Sequence, residues 1–110
     1  MNASAAARIY AHRRIDRLLD AVAESYGISR RRLRANRRYR LDAEARHVAM
    51  YLIRRHAPEM SYPDIGRLFG RHHTTAISAE RRVREMLERD VPLQAMVLEI
   101  EERFLGRDAA

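Results

Sequence analysis

Side chains that can hydrogen-bond to nucleic-acid bases cluster at the start of one predicted helix. They are His72, His73, Thr74, Thr75 and, one turn later, Ser78. An imidazole can hydrogen-bond to purine N7 or O6, and a threonine methyl can pack on the methyl of thymine. We therefore expect these five residues to read base edges in a major groove, provided that the surrounding helices present them there.

The segments around this cluster have the layout of a helix-turn-helix, expected over about residues 61–88. Ser61, Pro63 and Asp64 are typical of a helix start, because they supply a cap, a first-turn proline and a carboxylate near the positive helix end. Gly70 is placed to end this helix in the left-handed conformation. In the second helix, small and apolar residues at a spacing of three to four predict one buried face, namely Ala76, Ala79, Val83 and Leu87.

A basic loop is expected over residues 30–40, where seven of eleven residues are arginine and none is acidic. Charges this close repel one another, and we expect no neighbouring carboxylate to relieve the repulsion. The phosphates of a nucleic acid would relieve it, and arginine also fits a narrow minor groove, where the potential is most negative. Contact with phosphates or the minor groove is therefore favoured over the alternative, a plainly solvated charge run.

The charge of the whole chain also favours a polyanionic partner. Its 110 residues include 22 basic residues, all of them arginine, against 15 acidic ones. Residues 1–84 hold 19 arginines and 8 acidic residues, a net charge of +11, whereas residues 85–110 hold 3 and 7, a net charge of −4. We therefore expect the middle of the chain to face DNA and the C-terminal helix to be turned away.

Length and composition narrow the class of protein. One domain over residues 1–110 is expected, long enough to bury a core. The chain has no cysteine, and His47, His72 and His73 lack ligand spacing, so no metal and no cofactor are expected. No apolar run approaches the roughly 20 residues of a membrane helix, and the first residues lack the features of a secretory signal. A cytoplasmic, nucleoid-associated location without a membrane partner is therefore expected.

Apolar periodicity predicts an all-α, compact bundle of about six helices and no strand. Besides the helix-turn-helix, the predicted helices are about 4–26, ended by Gly27; from the cap Ser29 through Leu33; from the cap Asp42 to about His56; and about 93–105. The third of these should bury Ala45, Val48, Ala49 and Leu52 and expose Arg46, His47, Met50 and Arg54.

Six short segments occur in a specific order along the chain: 23–28, 37–40, 45–52, 63–66, 69–70 and 73–75. Together, from about residue 15 to residue 105, they resemble the C-terminal DNA-binding domain of the bacterial replication initiator DnaA. The resemblance implies an all-helical domain that binds a short asymmetric duplex site. It places the second motif helix in the major groove and an arginine of the basic loop in the adjacent minor groove.

The resemblance also implies roles for individual residues. Those expected at the minor groove are Arg37, Arg38 and Arg40, with Arg38 inside it. Those expected on phosphates are Arg46, His47, Arg54, Tyr62, Pro63, Arg71, Arg81 and Arg82. Tyr62 is expected chiefly to pack, and Tyr39 either packs in the core or stacks on a base.

Two departures from the family pattern affect these expectations. His72 stands where the family usually has aspartate, and His47 where it often has glutamine. Since a carboxylate accepts hydrogen bonds from base amino groups and a histidine presents different donors, we expect a related docking geometry with an altered preferred sequence. DnaA also carries a nucleotide-binding ATPase domain, and this chain has no lysine for a phosphate-binding loop, so neither nucleotide binding nor enzyme activity is expected.

Three roles are consistent with double-stranded DNA as the partner. The first is a transcriptional regulator that also contacts RNA polymerase or another regulatory protein. The second is a replication-origin-binding regulator, or a fragment of a DnaA initiator. The third is a DNA-packaging recognition subunit of phage type, which would assemble into a ring.

Overall fold

Six α-helices make up the computed structural model, which describes residues 5–35 and 39–109. They are α1 (Ala5–Tyr26), α2 (Arg30–Arg34), α3 (Arg40–His56), α4 (Tyr62–Leu68), α5 (His73–Met86) and α6 (Val91–Ala109). No strand occurs in these two ranges, so the predicted all-α class is confirmed. Gly27 follows α1 with a φ of 67°, and Ser29 caps α2, both as predicted.

Helix α3 is the centre of the bundle. Helices α1, α2, α4 and α5 all pack against it, and α6 packs along α1. Its predicted inward face is fully buried, namely Ala45, Val48, Ala49 and Leu52. The predicted exposed face is wrong for Met50 and Arg46, which are only 1% and 7% exposed. Neighbouring helices cover α3 on more than one side. Its alternation of apolar and polar residues therefore does not divide it into one buried face and one solvated face.

The predicted cap of α3 is also wrong. The N-cap is Tyr39, which makes no side-chain capping bond. Asp42 lies in the first turn instead and is completely buried, where it accepts hydrogen bonds from Arg32 Nη2 at 2.6 Å and Nε at 3.3 Å. A buried carboxylate needs such a partner, and this ion pair joins α2 to α3.

The basic run at residues 30–40 does not form one loop. Its first half is α2, and carboxylates from other helices lie next to it. Arg30 forms ion pairs with Asp20 at 2.8 Å and Asp16 at 3.2 Å, both on α1. Arg32 has the buried partner described above. The expectation that no carboxylate relieves the arginine run is therefore wrong for these two residues, because their partners are distant in sequence.

Helices α4 and α5 form the predicted helix-turn-helix. The Ser61 hydroxyl accepts a hydrogen bond from the Asp64 amide at 3.2 Å, and the Asp64 carboxylate accepts one from the Ser61 amide at 3.2 Å. This reciprocal capping box starts α4. Gly70 takes a φ of 62° just after the helix, which few other residues would tolerate.

The turn between these helices packs directly on α4 at Gly66. The Gly66 carbonyl accepts a hydrogen bond from the Arg71 amide at 2.8 Å. A Cβ atom added at Gly66 would lie 2.6 Å from the carbonyl oxygen of Arg71. Since real Cβ atoms do not approach backbone so closely, the direction in which α5 leaves the turn depends on this glycine.

One hydrophobic core receives side chains from all six helices. Representative members are Leu18 and Leu19 of α1, Leu33 of α2, Ile65 of α4, Val83 of α5 and Ile100 of α6. Helix α6 buries Leu93, Val97, Ile100 and Phe104. None of the helices in the described ranges has the length and apolar composition needed to cross a membrane.

Candidate nucleic-acid interface

The first turn of α5 presents the predicted base-reading residues together. Exposed side chains are His72, Thr74 and Ser78, and half-buried ones are His73 and Thr75. The opposite face of the helix is buried, namely Ala76, Ala79 and Val83. Packing of this face against α3 and α4 fixes α5 in place, so that its N-terminal turn is held rigidly at the surface.

His72 caps α5 through its imidazole ring. The Thr74 amide donates to His72 Nδ1 at 3.4 Å, and Thr74 Oγ1 lies 2.9 Å from the same nitrogen. The His73 ring packs beside it, with 4.1 Å between ring centroids. This capping role was missed in the sequence, because helix caps are usually serine, threonine, aspartate or asparagine. The aspartate that the family usually has at this position is the only signal that points to it.

A groove of about 230 Å³ connects the start of α5 with α3. Its lining residues are His47, Thr74, Thr75, Ser78, Ala79 and Arg82. Burial, followed by the charges of Arg46 and Arg82, lowers the pKa of His47 from its ordinary value of 6.5. The ring is therefore neutral at neutral pH and offers a phosphate an N–H donor rather than a full charge.

Two of the predicted phosphate contacts converge on one backbone carbonyl. Arg46 donates to the Ala35 oxygen at 3.0 Å, and Arg71 donates to it at 3.5 Å and to the Phe69 oxygen at 2.6 Å. Burial and the charge of Arg71 lower the pKa of Arg46. Ala35 is the residue at which α2 ends, so side chains from α3 and from the turn before α5 both bind the end of α2.

Arg54, another predicted phosphate contact, holds the connection between α3 and α4. Its guanidinium donates to the carbonyl oxygens of Met60 at 2.8 Å and Pro58 at 3.2 Å. The same group lies over the Tyr62 ring, 4.7 Å from its centroid. Tyr62 packs against the core, as expected, and its hydroxyl donates to Glu80 of α5.

The remaining predicted contacts lie at the surface or outside the described residues. Pro63 is exposed in the first turn of α4. Arg81 and Arg82 are exposed on α5 and form no ion pair or hydrogen bond in the part of the chain that the structure describes. The predicted minor-groove residues Arg37 and Arg38 lie outside that part.

Tyr39 and Arg40 stand at the start of α3, as its N-cap and its first residue. Arg40 is exposed and lines a second groove of about 210 Å³ together with His47 and Arg82. Tyr39 is 61% exposed, so of the two roles expected for it, packing in the core is wrong. In residues 5–35 and 39–109, no three histidine or acidic side chains form a group that could hold a metal ion.

Comparison with known families agrees with the helix-turn-helix described above. A model described as the bacterial dnaA protein helix-turn-helix matches residues 15–83, from the middle of α1 to the buried face of α5. The chain belongs to this DnaA family. The match contains the arginine run at residues 30–40, all of α4 and α5 as far as Val83, and the resemblance seen in the sequence is confirmed.

Individual DnaA relatives match most of the chain. The chromosomal replication initiator protein DnaA of Bartonella quintana is 42% identical over 98 residues, which are 88% of this chain and 19% of that protein. The DnaA of Rhizobium meliloti is 42% identical over 81 residues, 73% of this chain and 17% of that protein. The DnaA of Brucella abortus is 40% identical over 98 residues, with shares of 88% and 19%. The chain thus spans less than a fifth of the length of these curated relatives.

Proposed function

We propose that this chain is a sequence-specific double-stranded DNA-binding protein that places the first turn of α5 in the major groove. One observation carries the proposal: the exposed imidazole and hydroxyl groups of residues 72–78 stand on a helix whose other face is buried. A rigid helix end with several such groups can discriminate bases, because hydrogen bonds to base edges require fixed positions. The family membership and the net charge of +7 support the same conclusion.

We propose that the arginines around this turn contact the phosphates on either side of the DNA major groove. Arg81 and Arg82 extend from α5 without partners among the described residues. Arg40 and Arg82 line the same groove in the protein surface. Arg46 and Arg71 both donate to the Ala35 carbonyl, which links α3 and the turn before α5 to the end of α2. We propose that Arg37, Arg38 and Arg40 thereby contact the minor groove adjacent to the major groove that α5 occupies.

Selection from a random duplex library at physiological salt tests this proposal. The wild-type chain should return a defined motif. His73→Ala should then weaken binding to the selected duplex by about 1–3 kcal/mol and leave binding to random duplex nearly unchanged. His12→Ala, which removes an exposed imidazole from α1, is the matched control and should change neither. Equal weakening of selected and random DNA by His73→Ala would contradict the base-reading role.

For the biological role, we propose a transcriptional regulator that occupies promoter sites and contacts RNA polymerase or another regulatory protein. Replication-origin binding is the second candidate, and the names of the relatives, all chromosomal replication initiators, favour it. Mapping the bound sites across the genome of the source organism separates the two. Promoter sites that change transcription when the gene is deleted support the first, and sites confined to the origin support the second.

A further inference from the structure

The capping bond of His72 determines which ring nitrogen carries the hydrogen. The amide of Thr74 is always a donor, and it donates to His72 Nδ1 at 3.4 Å. An Nδ1 that accepts cannot also carry a hydrogen, so the hydrogen of the neutral ring is on Nε2. The Thr74 hydroxyl, 2.9 Å from Nδ1, must for the same reason be the donor in that contact.

The outward atom of His72 is therefore a donor. Nε2 is the ring nitrogen that the cap does not use, it belongs to an exposed residue, and it forms no hydrogen bond to any residue that the structure describes. The His73 ring packs against the His72 ring and restrains its rotation. A protonated imidazole also carries a hydrogen on Nε2, so this atom is a donor in both protonation states.

We infer that His72 favours guanine over cytosine at the base it faces, an inference that rests on the proposed DNA-binding function. In the major groove, guanine presents two acceptors, N7 and O6, whereas cytosine presents only its amino donor. A lone N–H donor is satisfied by guanine and leaves the cytosine amino group without an acceptor. A carboxylate at the same position would do the reverse, because one oxygen caps the helix and the other accepts from a base amino group.

Two substitutions separate the capping role from the base preference. His72→Asp keeps a capping acceptor and replaces the outward donor by an acceptor. His72→Asn also keeps the cap through Oδ1 but presents its Nδ2 donor outward, like the wild-type ring. His72→Ala loses both functions, and its lower thermal stability relative to the other two variants would report the loss of the cap.

Selection from random duplexes with these variants tests the inference. The wild-type chain and His72→Asn should favour guanine over cytosine at one position of the motif by on the order of tenfold. His72→Asp should invert the preference at that position and leave the rest of the motif unchanged. Selection of the same base at that position by the wild-type chain and by His72→Asp would overturn the inference. A preference of His72→Asn for adenine would also overturn it, because bidentate contact with adenine requires an Oδ1 that is not used by the cap.

The outcome also distinguishes this inference from the function on which it rests. A flat profile for the wild-type chain would contradict sequence-specific binding itself. A sharp wild-type motif that no His72 substitution alters at any position would leave the function intact and refute the assignment of His72 alone.

Discussion

Gly66 is the single residue on which the geometry of the turn depends most. A Cβ there would meet backbone atoms, the Arg71 oxygen at 2.6 Å and the His72 carbonyl carbon at 3.2 Å. Backbone cannot rotate away as the end of a long side chain can. Any side chain at this position must therefore displace the turn, and with it the start of α5.

Gly66→Ala should lower the free energy of unfolding by about 1–3 kcal/mol, the usual cost of overpacking. Gly106→Ala is the matched control, because Gly106 lies in α6 with nothing within 4 Å of an added Cβ. Alanine is the better helix former, so this control should be stabilising by up to about 1 kcal/mol. Urea denaturation of the two variants measures both effects, and equal midpoints would contradict the close approach at Gly66.

His47 should make stability depend on pH. Burial and the charges of Arg46 and Arg82 lower the pKa of His47 below 6.5 in the folded chain. In the unfolded chain the ring takes up its proton at higher pH, so the folded state loses stability as pH falls from about 6.5 towards the lowered pKa. His47→Gln removes this component. Denaturation at neutral and mildly acidic pH should show a larger loss for the wild-type chain, and an identical loss in both proteins would refute the lowered pKa.

At the scale of helices, the arginines around α5 are of two kinds. Some form no ion pair or hydrogen bond with other described residues, and others hydrogen-bond to the backbone and support the fold. Arg82 is exposed and has no partner among the described residues, whereas Arg54 donates to two loop carbonyls and stacks on Tyr62. Both were predicted to contact phosphates. The structure adds that Arg54 also positions the connection between α3 and α4, so its substitution has two effects.

Arg82→Gln should reduce the slope of log affinity against log salt concentration by about 0.9, the value for one phosphate contact, without changing thermal stability. Arg54→Gln should reduce stability as well, since it removes two hydrogen bonds to the backbone. Arg103→Gln on α6 serves as the charge-matched control and should leave the slope unchanged. A slope unaffected by Arg82→Gln in a salt titration would exclude this arginine from the phosphate contacts.

The helices that could be predicted from the sequence are those whose ends are set locally. Ser61 and Gly70 act on the backbone within a few residues, so their types and spacing were sufficient. The roles of Asp42 and Met50 could not be predicted, because they depend on α2 and on the helices around α3. The candidate base-reading residues could be predicted from the sequence as a set, but the tautomer of His72 depends on the position of the Thr74 amide.

For the whole molecule, the net charge differs between the two parts of the sequence. Helices α4 and α5 pack on α3, and α6 packs along α1. The segment 85–110, which contains α6, has a net charge of −4, and the preceding residues have +11. That the middle of the chain faces DNA stays a prediction.

The shared core predicts that the chain unfolds as one unit. All six helices contribute to it, and the ion pair between Arg32 and the buried Asp42 ties α2 to α3. Far-UV circular dichroism and the fluorescence of the five tyrosines should therefore report a single coincident transition in urea. Separate midpoints from the two probes would show that residues 1–110 do not form one domain.

The most direct test of the central claim is the ratio of two affinities of the wild-type chain. A competition titration at physiological salt compares the duplex obtained by selection with a scrambled duplex of the same composition. If the first turn of α5 reads bases, the selected duplex should bind at least about a thousandfold more tightly. A ratio near one would show that the arginines bind DNA through charge alone, and would contradict base reading by residues 72–78.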